Sequence, residues 1–68
     1  MLYAPSLILD QTNGYFTPDG KITITPGDAV LFETREEARA LLVRHGEDPD
    51  FIEEVEDEAE FRARPDTW

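Results

Sequence analysis

Nine of the sixteen acidic residues in this 68-residue chain fall between Glu47 and Glu60, and no Lys or Arg interrupts them. Carboxylates in that density suggest three kinds of chemistry. Glycoside hydrolysis needs two of them at a fixed separation on opposite walls of a cleft, and a run along one surface does not supply that. Hard-cation binding needs several oxygen donors converging. Asp48, Asp50 and Glu53 are close in sequence, yet the loop lacks the central glycine and twelve-residue ligand order of an EF-hand. The third kind is electrostatic docking onto a basic partner, which asks only for an ordered array of like charges. Other chemistries are poorly provided for. Ser6 and His45 are the one serine and the one histidine, in separate segments and without a nucleophile elbow, so no Ser-His dyad is expected. No cysteine is present, which excludes disulfides and thiolate-bound zinc. Asn13-Gly14 and Asp19-Gly20 read as turns and not as a phosphate cradle. No catalytic residue, metal site or cofactor is expected, and a core this small leaves little room for a water-excluding pocket.

Those carboxylates need elements to hold them. Charge divides the chain: residues 1–34 hold four acids and one base, and residues 35–68 hold twelve acids and five Arg, within a formal net charge of −10. The first half reads as antiparallel β. Leu7-Ile8-Leu9 is followed by a turn cluster ending in Asn13-Gly14, a pair suited to a tight hairpin. Tyr15-Phe16-Thr17 leads to a second turn, Pro18-Asp19-Gly20. Lys21 to Thr25 then alternates, with Ile22 and Ile24 on one face. Ala29 to Phe32 is either a fourth short strand or an apolar turn closing the sheet end. A meander of this size needs a cover on its apolar face.

The cover is legible. Thr34 and Glu37 form a capping box, and Ala38, Leu41, Leu42 and His45 follow at i, i+3, i+4 and i+7. Gly46 supplies a left-handed stop. The spacing predicts a helix over 35–45. A second helix is expected to open at Asp48-Pro49 and end near residue 60. On its wheel Phe51, Ile52, Val55 and Ala59 make one apolar stripe. Asp50, Glu53, Glu54, Asp57 and Glu58 make the opposite face, with Glu56 and Glu60 on its flank. The alternative for residues 59–64 is an alternating edge strand, with residues 61–68 otherwise a tail. The expected architecture is α+β within one domain: a three- to four-stranded antiparallel meander over 1–33, an amphipathic helix over 34–46 and an acidic helix over 47–60.

An all-acid helix face has a bland reading, a solvated surface that maintains solubility. Against it, like charges at i, i+3 and i+4 destabilise a helix by a few tenths of a kcal/mol per pair, and five Arg were available to interleave. Carboxylates one helical turn apart are about 5–6 Å from each other, comparable with phosphate spacing along a nucleic-acid strand. The expected binding set is therefore Glu47, Asp50, Glu53, Glu54, Asp57 and Glu58, with help from Glu36 and Glu37. Its expected partner is a basic protein or complex that handles nucleic acid. Direct nucleic-acid binding is disfavoured, because a phosphate backbone requires cations. A different class of function, an accessory or antitoxin-like subunit binding through apolar surface, would use Val43, Phe61 and Trp68. No apolar run approaches the ~20 residues of a membrane span, and no secretion signal is visible, so the cytoplasm is the expected compartment.

The strand-turn-strand opening, then Asp28-Ala29-Val30-Leu31-Phe32-Glu33-Thr34-Arg35-Glu36-Glu37-Ala38 with Leu41-Leu42, resembles a hairpin-then-helix pattern of small phage and mobile-element proteins. Size, acidity and a cysteine-free α+β core are likewise similar to anti-CRISPR and anti-restriction inhibitors. These share no common motif, so the resemblance transfers no binding residue. It implies a stoichiometric, non-enzymatic inhibitor that blocks a Cas effector's access to DNA or guide, working in the host-cell cytoplasm if phage-encoded.

Overall fold

The computed structural model describes residues 1–65. Four antiparallel strands and two helices confirm the α+β class: β1 (Leu2–Leu9), β2 (Thr12–Phe16), β3 (Ile22–Thr23), α1 (Arg35–Arg44), β4 (Ile52–Val55) and α2 (Glu58–Arg62), with a 3-10 turn at Pro26–Asp28. The sheet order is β3-β2-β1-β4. The first three strands are the expected meander, and β4 adds to the free side of β1.

The first hairpin turns earlier than its sequence suggests. Leu9 pairs with Thr12, so the turn is Asp10-Gln11, both in the left-handed region at φ 46° and 72°. Asn13-Gly14, the expected turn, lies inside β2. The register is set by packing. Gly14 stands opposite Leu7, and a Cβ there would come within 2.7 Å of Leu9 Cδ1. A side chain is missing where two leucines need the space. The second turn forms as expected, with Gly20 at φ 84°. The following strand shrinks to two residues, and Ile22 is about half exposed at the sheet edge. Ala29 to Phe32 supplies a single bridge, Tyr3 to Phe32, and not a strand.

Strand alternation gives the sheet two apolar faces, each with its own cover. On one, Leu7 and Phe16 pack against Leu41 and Leu42 of α1, with Leu9, Val30, Phe32 and Ile52 around them. On the other, Ala4, Tyr15 and Val55 pack against Ala29 and Phe61 of α2, flanked by Leu2 and Leu31. α1 begins at the expected cap: Thr34 Oγ1 accepts from the Glu37 amide at 3.3 Å and donates to the Glu37 carboxylate at 3.1 Å. It ends at Gly46, φ 75°. Three of the four residues on its predicted face, Ala38, Leu41 and Leu42, are buried. His45 caps the helix and stays exposed, its ring 4.8 Å from that of Phe16.

The acidic helix over 47–60 does not form. Residues 52–55 are a strand in register with β1, Leu2 against Val55, Tyr3 against Glu54, Ala4 against Glu53 and Pro5 against Ile52. Two physical terms favour this outcome. A strand sends Val55 into one core and Ile52 into the other, where a helix would send both to one side. It also separates successive carboxylates onto opposite faces and removes the i, i+3 and i+4 repulsions of an all-acid helix. The helical segment comes later, over Glu58–Arg62, so residues 59–64 are not an edge strand. Phe61, expected in a tail, is 1% exposed and central to the core. Trp68 lies outside the described residues.

Candidate functional site: an acidic corner between β4 and α2

Three of the nine clustered acids are paired with arginines that are distant in sequence or lie one helical turn away. Asp50 meets Arg39 at 2.7 Å, Glu53 meets Arg64 at 2.5 Å and Glu58 meets Arg62 at 2.9 Å. The absence of interleaved bases in the sequence is thus partly made good in three dimensions. Two further acids serve the backbone. Asp48 accepts from the Asp50 amide at 2.9 Å, and Asp57 caps α2 by accepting from the Glu60 amide at 3.1 Å. With Asp50 and Glu53 each held by an arginine, the suggested Asp48-Asp50-Glu53 cation loop is not assembled. No group of three His, Asp or Glu placed to hold a metal occurs among the described residues.

Glu53 is the most embedded of the set. Its Oε1 accepts from the Tyr15 hydroxyl at 2.9 Å, and Arg64 holds its other oxygen. The Arg64 guanidinium lies 5.0 Å over the Phe61 ring, which meets Tyr15 edge-on at 5.3 Å. Cation–π and aromatic contacts therefore join the ion pair to the core. Burial, and then the hydrogen bond to the Glu53 carboxylate, push the Tyr15 hydroxyl up to about 12 from 10.0. The same carboxylate raises Arg64 above its ordinary value, chiefly through their hydrogen bond. Arg62 also donates to the carbonyls of Gly27 and Ala29 at 2.9 and 3.0 Å, tying α2 to the 3-10 turn.

The expected binding set is consequently dispersed. Asp50, Glu53 and Glu58 are paired, Asp57 is a helix cap and Glu37 belongs to the α1 cap. Glu36 lies exposed on α1, and Glu47 follows its C-terminus. Only Glu54 and Asp57 of that set line the cleft of about 280 Å³ between β4 and α2, alongside Glu56, Glu60, Val55, Phe61 and Arg64. Glu56 and Glu60, placed on the flank by the helical wheel, share this corner because the chain turns from strand to helix at Asp57. The carboxylates of Glu54, Glu56 and Glu60 have no partner among the described residues. The Tyr15 and Arg64 contacts were not anticipated from the sequence; no local signal couples residues 15, 53 and 64.

The apolar alternative changes too. Phe61 is core, and Val43 remains exposed beside Glu36, Arg39, Ala40 and Arg44. The Ser6 hydroxyl is buried and donates to the Ala4 carbonyl at 2.9 Å. No helix among the described residues is long and apolar enough to cross a membrane. Compared with protein-family models, curated proteins and solved structures, the chain gives no match.

Proposed function

We propose that this protein is a non-enzymatic inhibitor that acts as a partial nucleic-acid mimic, docking its acidic corner onto a basic groove of a nucleic-acid-handling protein in the cytoplasm. A CRISPR-Cas effector is one partner of that chemistry, with the inhibitor then phage-encoded. The observation that supports this reading is the set of carboxylates at Glu54, Glu56 and Glu60 that have no partner among the described residues. They remain uncompensated while Arg39, Arg62 and Arg64 neutralise their neighbours. Glu54, Glu56 and Glu60 all line the cleft at the strand-to-helix corner, where a Lys/Arg-lined surface would gain from steering and from pairing. Asp57 adds its charge while capping α2.

The test replaces Glu54, Glu56 and Glu60 with Lys, leaving every paired acid and the Asp57 cap in place. The wild-type protein should capture a basic partner that is released by added salt and by competing duplex DNA. The triple variant should lose that capture while keeping the wild-type circular dichroism. Capture that survives both the triple substitution and competing DNA would overturn the reading.

A further inference from the structure

From the outward face of α1 we infer a second interaction surface, an isologous contact between two copies of this chain through antiparallel α1 helices centred on Ala40. It is independent of the acidic corner and goes beyond the function proposed from it. α1 buries Ala38, Leu41 and Leu42. Opposite them, Glu36, Ala40, Val43 and Arg44 fall within an arc of roughly 100° at helical spacing. Val43 is 61% exposed, the most exposed of the large apolar side chains among the described residues. With Ala40 it forms the floor of a shallow hollow of about 380 Å³, rimmed by Glu36, Arg39 and Arg44.

Charge complementarity identifies the occupant. Among the described residues Arg39 is already paired with Asp50, whereas Glu36 and Arg44 have no side-chain partner. They stand four residues before and four after Ala40, about 12 Å apart along the axis. A two-fold axis through Ala40 therefore brings Glu36 of each copy to Arg44 of the other, giving two equivalent ion pairs, as an isologous interface requires. Ala40 is small enough to let the helices approach to about 8–10 Å, and each Val43 is then covered by the opposing helix. α1 carries three of the five Arg against two Glu, so this helix does not add to the repulsion expected between chains of net charge −10. A contact of one three-turn helix buries less than the ~800 Å² per partner of a standard interface, so the dimer is weak.

The test is sedimentation equilibrium of the full chain in low salt, from about 10 µM to about 1 mM, the range in which a weak dimer forms. Wild-type protein should rise towards dimer mass. E36R places Arg opposite Arg at both pairs, and R44E places Glu opposite Glu, so each should weaken association about tenfold. An equimolar mixture of the two should recover it, because both cross-pairs are then of opposite sign, and so should E36R/R44E in one chain. E36R makes the chain less negative overall, so a dimer limited by net charge would strengthen in that variant instead of weakening. A wild-type protein that stays monomeric throughout, or a mixture that fails to associate more tightly than either variant alone, would overturn the inference. Circular dichroism of each variant shows whether it remains folded, and the mixture supplies the decisive comparison.

Discussion

Replacing Tyr15 with Phe tests the point where a core ring meets a charged carboxylate. The substitution keeps the ring against Phe61 and removes the hydroxyl that donates to Glu53 at 2.9 Å. A hydrogen bond to a charged acceptor is worth about 1.5–3 kcal/mol. Glu53 is 29% exposed and Arg64 remains on its other oxygen, so water and the arginine recover part of this, and a loss of about 1 kcal/mol is expected. The pH dependence gives a sharper check. The Tyr15 hydroxyl titrates at about 12 in the folded chain and near 10.0 unfolded. The folded state therefore holds the proton more tightly, and its advantage is complete below the unfolded value. As pH rises through 10 the unfolded chain ionises first, and the advantage is lost through the folded value of about 12. Two units would correspond to about 2.7 kcal/mol. The half-exposed Arg64 beside the site argues for roughly half of that. Urea titrations of both proteins should show a gap of about 1 kcal/mol at about pH 8 that has closed by about pH 11. Equal stability at the lower pH, or a gap that does not change with pH, would refute this account of Tyr15.

Phe61→Ala should remove the aromatic centre of the α2-side core at a cost of about 3 kcal/mol or more, a large share of the stability of so small a chain, and chemical-shift dispersion in amide NMR spectra should collapse accordingly. Gly46→Ala meets no neighbour within 4 Å but must hold φ 75°, so its expected cost is backbone strain alone, about 1 kcal/mol. A thermal melt of that variant should show a lower midpoint with native spectra retained.

Local signals suffice where the stabilising contacts are themselves local. Thr34, Glu37 and Gly46 delimit α1 through bonds spanning three to five residues, and Ala38, Leu41 and Leu42 set its inward face; all of this is visible in the sequence. So are the α+β class and the Pro18-Asp19-Gly20 turn. Asn13-Gly14 is ambiguous because the same dipeptide serves two purposes. A glycine that permits a turn is indistinguishable in sequence from one that leaves room for Leu7 and Leu9 across a strand pair.

The acidic segment shows where local reading ended. Val55 and Ile52 fit a helical stripe as well as they fit opposite faces of a strand, and periodicity alone does not choose between them. The open edge of β1 made the choice, offering partners from Leu2 to Pro5 to a segment fifty residues away. Charge followed the same rule. That residues 47–60 are acidic is written in the chain. Which of those charges stay free was decided only when folding brought Arg39 to Asp50 and Arg64 to Glu53, each eleven residues away, because ion pairing depends on distance in space and not on spacing along the chain.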